Sequence, residues 1–406
     1  MIRKKAWVAL MATALAAGGM TASPPASAGH AGVSIQVGEA LDVSGATAES
    51  MRFLAPDTVN VHQGDRITFE IHGFHTATML PAGVGAADWI EDNAEGTGPF
   101  SFYDTDPDDG ATAFKDNFGA IVTPTDPTCG GDAQDPCNYG GDDVLNSGAP
   151  QGPGEPLRFT ATVNAAPGST FWVICLVHRN MRVRVRVVGD PAAATPQSAI
   201  DDARERQLRW DTDLARATHA KYSAKRTSHR TESGRRVWDA WAGVDTGHVT
   251  LLEFYPKTLV IGRGDTVRWH FDHLVFEDHT VSLPIPAVFN MPFDPAMCDP
   301  DGDAGAGPDT PAQEQEDGPP LCPEGSQLEF DLDGPFNGGM GNGVWNGMND
   351  VEHSGIRGFT AEDMSPPAAG IDPYDVRFRK STGNGAVNYL CFLHGDVMQG
   401  KVRVRT

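Results

Sequence analysis

The sequence predicts an all-β protein: two β-sandwich domains joined by a linker that contains one α-helix. Three observations carry this. At 406 residues the chain suits two domains of ordinary size plus a connection. It contains an internal repeat at an offset of 200: Leu54-Ala-Pro56-Asp-Thr58-Val-Asn-Val-His-Gln-Gly64-Asp65 aligns with Phe254-Tyr-Pro256-Lys-Thr258-Leu-Val-Ile-Gly-Arg-Gly264-Asp265. Both copies also close on an alternating segment. Val183, Val185 and Val187 alternate with Arg182, Arg184 and Arg186, and Val402 and Val404 alternate with Lys401, Arg403 and Arg405. A period of two with one charged face is the pattern of a half-buried sandwich strand.

The chain opens on a segment that should not be read as fold. Arg3, Lys4 and Lys5 precede an apolar stretch from Ala6 to Ala17 and a small-residue site at Ala26-Ser27-Ala28. This pattern predicts a signal peptide over 1–28, cleaved near Ala28, and a secreted or periplasmic protein. The apolar run falls short of the ~20 residues that a membrane span needs, so no membrane insertion is expected. The first domain is read over 33–190, a helical linker over 191–235 and the second domain over 236–406.

Within each domain the repeat runs through a Gly-Asp turn into Ile67-Thr-Phe69-Glu-Ile71 or Val267-Arg-Trp269-His-Phe271, then reaches His75-Thr76 or His279-Thr280. Long insertions follow, Pro81 to Glu155 and Pro284 to Asp375. They are rich in Gly, Asp, Pro and Asn, which predicts loops over one end of each sandwich. In the linker, Thr195-Pro196 reads as the N-cap and first residue of a helix running to about Ala224. Its apolar stripe is Ile200, Ala203, Trp210, Leu214 and Ala217, expected to pack against a domain. The basic stretch through Lys225, Arg226, Arg230, Arg235 and Arg236 reads as solvated linker.

Composition narrows the partners. The net charge of −23 becomes −26 once residues 1–28, with their three basic and no acidic residues, are removed. Such an excess disfavours nucleic acid and anionic membrane and favours a protein with a basic face. The six cysteines divide the same way in each half: two in a Gly/Asp/Pro-rich stretch, then one in an apolar run followed by His. This predicts structural bridges Cys129–Cys137 and Cys298–Cys322. It leaves Cys175 and Cys391 as thiolates, and a bound metal would explain their survival in an oxidising compartment.

The strongest chemical signal is Cys175-Leu-Val-His178-Arg-Asn-Met181, matched by Cys391-Phe-Leu-His394-Gly-Asp-Val-Met398. A soft thiolate, two imidazoles and a weak axial thioether make a type 1 (blue) copper site; His75 and His279, at matching repeat positions, supply the second imidazole. On these residues both halves, about Val33–Val188 and Arg236–Thr406, resemble the cupredoxins of the plastocyanin, amicyanin and pseudoazurin types. The His178–Met181 spacing is amicyanin-like; that from His394 to Met398 lies between amicyanin and plastocyanin. The resemblance implies Greek-key sandwiches, each with one copper at one end. The ligands would be His75, Cys175, His178 and Met181 in the first, and His279, Cys391, His394 and Met398 in the second. The edges of His178 and His394 would be the electron ports.

The expected function is therefore outer-sphere electron transfer to and from redox partner proteins, by a chain that is not itself an enzyme. A trinuclear cluster needs His-x-His pairs, and a nitrite-reductase-like type 2 site places a His before the copper Cys; here Ile174 and Leu390 stand at those positions. The alternatives are a two-domain copper oxidase or nitrite-reductase-like enzyme, and a non-redox copper-binding or storage protein. A third metal at His270, His273 and His353 is a weaker candidate. The Asp-rich runs 104–110 and 299–303 lack the Gly and Glu positions of an EF-hand loop and read as solvated loops. The stretch from Gly338 to Met348 reads as flexible loop or as a wall near the second copper.

Overall fold

The computed structural model describes residues 32–93, 100, 103–105, 112–114, 118–150, 156–178, 181–189, 192–271, 279–285, 297–299, 310–311, 313–315, 318–321, 327–329, 341–355, 357 and 373–406. The signal peptide, the Cys298–Cys322 bridge and the body of both Asp-rich runs lie outside the described residues.

Each half turns at its Gly-Asp pair for the same chemical reason. Gly64 and Gly264 take positive φ (89° and 97°), which costs a glycine little. The carboxylates of Asp65 and Asp265 then accept the N–H of the residue three positions earlier, His62 (2.7 Å) and Gly262 (2.9 Å). Each turn carries the chain from one sheet to the other, since Thr58–His62 and Arg66–Ile71, like Thr258–Gly262 and Thr266–Phe271, lie in different sheets. In the first half, one sheet runs Ala48–Leu54, Gly32–Ala40, Arg66–Ile71, Leu157–Val163, Cys137–Tyr139 in spatial order; the other runs Thr58–His62, Arg182–Val188, Thr170–Ile174, Thr78–Met79, Leu145–Asn146. The second half repeats the plan. Its first sheet is Val249–Tyr255, Arg236–Asp245, Thr266–Phe271, Tyr374–Phe378, Val344–Trp345, and its second is Thr258–Gly262, Gln399–Arg405, Val387–Leu390, Ser282–Leu283, Glu352–His353.

Side chains from both sheets meet in one core per half. Ile35, Phe53, Ile67 and Phe69 face Val59, Phe171, Val183 and Val185 in the first, and Phe254, Val267 and Trp269 face Ile261, Tyr389, Val402 and Val404 in the second. The alternating strands behave as predicted, with valines buried and basic residues exposed. The all-β sandwich class therefore holds.

The halves are not beads on a string. Strand Ala48–Leu54 pairs antiparallel with Val249–Tyr255 (Ser50↔Val249, Glu49↔Thr250, Ala48↔Leu251), fusing both first sheets into one of 11 strands. The repeat slips here: Phe53 pairs with Val37 as Phe254 pairs with Ala242, an offset of 201 where the downstream turn keeps 200.

The linker helix, Gln197–Ser223, lies across this seam and contacts Ala48–Leu54 and Val249–Tyr255. Two sequence expectations are corrected. Pro196, not Thr195, occupies the cap position (φ −73°, ψ 151°), because the Thr195 hydroxyl accepts the Asn60 N–H instead (2.8 Å). The buried stripe is Ile200, Ala203, Asp211, Ala215 and Thr218, while Trp210 is 52% exposed. The helix is rotated toward a polar anchor: the fully buried Asp211 carboxylate accepts hydrogen bonds from Ser50 Oγ (2.7 Å) and Arg52 Nε (3.0 Å). Part of the basic stretch is also structured, since Ser228–Arg230 forms a strand paired with Arg236–Trp238.

The insertions are more ordered than their composition implies. Cys137–Tyr139 and Val344–Trp345 extend the first sheets as parallel edge strands, and Leu145–Asn146 and Glu352–His353 extend the second. Cys129 and Cys137 form the predicted disulfide. Val344 and Trp345 are thus strand, and Trp345 is core, which corrects the flexible-loop reading there. The return of each insertion carries the same clamp. Ser147 Oγ accepts the Ala77 N–H and donates to Gly148 O, and Ser354 Oγ does the same between Val281 and Gly355.

Replacing Asp211 with Ala would strip the helix of its anchor and leave Arg52 and Ser50 without that acceptor. A loss of about 3 kcal/mol is expected, read as a lower urea midpoint, with Asp211→Asn losing less.

Candidate metal centres

In each half the end of one strand delivers the cysteine and the turn after it delivers a histidine. Thr170–Ile174 leads into Cys175, and His178 follows within the same turn; Val387–Leu390 leads into Cys391, followed by His394 and a 3-10 turn over Gly395–Val397. The turn is closed by the backbone: Cys175 N–H donates to Met181 O (3.0 Å), and Cys391 N–H to Met398 O (3.0 Å). The second histidine arrives from the segment just ahead of the neighbouring strand: His75 precedes Thr78–Met79 and His279 precedes Ser282–Leu283, each directly before a threonine, Thr76 or Thr280.

The two histidines and the cysteine of each half converge. His75, Cys175 and His178 present ligand atoms within 4.8 Å of one another, and so do His279, Cys391 and His394. Cys175 Sγ lies 3.9 Å from His75 Nδ1 and 3.7 Å from His178 Nδ1. In the second cluster the corresponding distances are 3.9 Å and 3.3 Å. Met181 and Met398 are buried in the cores that contain the two cysteines.

Both cysteines are buried and unbridged. Burial pushes their thiols up, but hydrogen bonds and charge from the paired histidines outweigh it and hold both well below the ordinary thiol range. Each sulfur also accepts a backbone N–H from Thr76 or Thr280 at 3.3 Å. The direction is toward the thiolate, the form a soft metal requires. Burial likewise lowers His75, but the Glu49 carboxylate, assisted by Cys175, raises it to about 9. Thiolate, imidazole and a neighbouring thioether form a donor set that fits copper.

Several residues around the clusters escape sequence reasoning. The Thr76 and Thr280 hydroxyls accept the N–H of the residue after each cysteine, Leu176 (2.8 Å) and Phe392 (2.6 Å), tying the two ligand segments together. Gly38 and Gly243, at the bulges of Gly32–Ala40 and Arg236–Asp245, take φ near +70°, and a Cβ there would fall 2.4 Å from His75 Cδ2 or 1.9 Å from His279 Nε2. A glycine inside a strand is the usual signal of such an approach. Glu49 Oε1 accepts from His75 Nε2 (2.9 Å); nothing local in sequence marks it.

The insertions treat the two centres differently. In the first, Ala86, Trp89 and Ile90 of helix Ala86–Asn93 pack on Ile174 and Leu176, and His178 is only 5% exposed. In the second, His394 is half-buried between Leu393 and Val397, which are 41% and 50% exposed. The weaker third site does not assemble among the described residues. His270 pairs with Asp239 (2.8 Å), His353 with Ser282 (2.7 Å) in another sheet, and His273 lies outside them.

No family model and no curated protein matches the chain. Among solved structures it is similar to a blue copper oxidase from Nitrosomonas europaea (10% identity, 92% of this chain and 86% of that one, TM-score 0.19). It is also similar to the copper nitrite reductase of that organism (11%, 92% and 94%, TM-score 0.18) and to a copper nitrite reductase from Thermus scotoductus (13%, 92% and 68%, TM-score 0.17). At these scores the likeness carries no argument about substrate; the cupredoxin-like fold rests on the sandwiches and clusters above. The expectation that the chain is not an enzyme is nevertheless corrected, because the similar structures are copper oxidases and nitrite reductases. Missing His-x-His and His-Cys patterns are an absence and do not by themselves exclude an enzyme.

Gly38→Ala should push the His75 ring out of place and Gly243→Ala the His279 ring. Each is expected to weaken metal retention at its own cluster on the order of tenfold with the other unchanged, as read by chelator competition.

Proposed function

We propose that the protein is an exported two-domain copper oxidoreductase. Its two domains, 33–190 and 236–406, would each hold one type 1 copper, the first through His75, Cys175, His178 and Met181 and the second through His279, Cys391, His394 and Met398. The observation that carries this reading is the recurrence, at the same strand end of both sandwiches, of a buried unbridged thiol facing two imidazoles. When bound, copper supplies one-electron cycling between Cu(I) and Cu(II). The chain supplies donors that suit both states and holds them in place through the Thr76 and Thr280 bonds, so little has to move. That favours outer-sphere electron transfer at each centre. Oxidation of a substrate or reduction of nitrite, the activities named for the similar structures, is the reaction class these electrons would serve.

Other features agree. The Cys129–Cys137 disulfide suits an oxidising compartment, and no helix among the described residues is long and apolar enough to cross a membrane. The acidic balance suits a redox partner with a basic face. Storage proteins favour multiple Met and Cys ligands for Cu(I), and the mixed sites here speak against that alternative.

Metal analysis with visible and EPR spectroscopy tests the reading. Two coppers per chain with an intense thiolate charge-transfer band are expected, and C175S and C391S should each remove one. Oxygen uptake and nitrite reduction with an artificial electron donor test the enzyme part. Colourless protein that binds only Cu(I) would sink the proposal, and two blue coppers without turnover would sink its enzymatic half.

A further inference from the structure

The two clusters share their ligands but not what stands behind them. In the first, the Glu49 carboxylate accepts from His75 Nε2 at 2.9 Å, on the ring edge away from Cys175, and its side chain is only 20% exposed. In the second, His279 Nε2 is buried and has no hydrogen-bond partner among the described residues. The reason is one substitution between the repeats. Glu49 pairs with Ala40, and Thr250 pairs with Asp245 at the corresponding register, so Thr250 is the second-half counterpart of Glu49. Its hydroxyl is itself buried and has no partner among the described residues.

The counterparts face each other. Glu49 pairs with Thr250 across the seam, flanked by Leu252 N–H to Thr47 O (3.0 Å) and Met51 N–H to His248 O (2.8 Å). Alternation along an antiparallel ladder makes 49/250 a hydrogen-bonded position too. The pseudo-two-fold of the molecule passes through this pair, with a carboxylate at 49 and a hydroxyl at 250; the second half's buried carboxylate is instead on Asp245, the register partner of Thr250 where the first half has Ala40, and it does not bond His279 Nε2.

We infer that Glu49 makes the two centres electrochemically unequal, holding the first at the lower reduction potential and so marking it as the better electron donor of the pair. This rests on the copper reading above. In the couple Cu(II) + e⁻ → Cu(I) the oxidised ion carries the larger positive charge. A carboxylate bonded to the far nitrogen of a ligand imidazole makes that imidazole more basic and attracts the more positive state more strongly. Among the described residues, none bonds His279 Nε2 in this way. Glu49 is a positioning and tuning residue rather than a ligand, and packing makes its place specific: a Cβ at Gly73 would lie 2.0 Å from its Oε1.

The test is a site-resolved redox titration. In the C391S background only the first centre is read, and in C175S only the second. The first is expected to titrate at the lower potential. E49Q keeps a hydrogen-bonding group and removes the charge; it should lower the Cu(II)/Cu(I) ratio of the first centre roughly tenfold at a fixed solution potential, leaving the second centre unmoved. E49T, which installs the second-half residue, should do the same and serves if E49Q fails to accumulate. An unmoved first centre, equal shifts in both, or a higher wild-type potential at the first centre would overturn the assignment while leaving the copper reading standing. Absence of a thiolate–copper band in the parent protein would overturn both.

Discussion

The antiparallel pairing of Ala48–Leu54 with Val249–Tyr255 is the contact on which the rest of the molecule depends. Edge strands left open would expose unpaired backbone groups; joined, they close each other and form one continuous sheet. The seam also gives the linker helix its bed, because Ser50 and Arg52 on one strand bind the buried Asp211 while Leu251 and Tyr255 on the other meet Ala215. The ligand histidines take their surroundings from the same strands and their immediate neighbours. The repeated sandwich is thereby one framework with two differently supported candidate metal centres.

Those corners show how little of a centre's character lies in its ligands. His75 and His279 occupy equivalent positions, approach equivalent glycines and face equivalent thiolates. Their distinction arises one layer out, in a carboxylate against a hydroxyl, and at the surface, where a helix covers Ile174 and Leu176 but Leu393 and Val397 stay open. Duplication copies the first layer faithfully because the geometry of a soft metal site tolerates little change. The outer layers can diverge without unmaking the site.

Most of the framework was legible in the sequence because its signals are local. Alternating valines and arginines, Gly-Asp turns and Cys-x-x-His segments each state their role within a few residues, and repetition confirmed them. What stayed hidden depends on contacts between distant segments. Sequence places the helix stripe one step off because Trp210 is apolar and Asp211 is not, although Ser50 and Arg52, some 160 residues away, make burial of the carboxylate possible. Composition alone marks the insertions as loops, since short edge strands such as Val344–Trp345 carry too few residues to show a period. Glu49 could not be found at all, because its partner is reached only through the fold. A non-enzyme expectation rests on missing patterns, which are the weakest kind of sequence evidence.

The serine clamps at Ser147 and Ser354 have a consequence for how such a molecule can change. Each insertion leaves from one strand and returns to pair with it, as Thr78 with Asn146 and Ser282 with His353. The excursion between is therefore a closed loop with pinned ends. The entropic cost of such closure grows only with the logarithm of length, about 0.6 kcal/mol for each doubling. Chain can be added there at little thermodynamic penalty, and the strain of new residues stops at the clamp. The end of either sandwich that carries its candidate centre is thus open to resculpting, in depth, charge or cover, while the strands beneath keep their register.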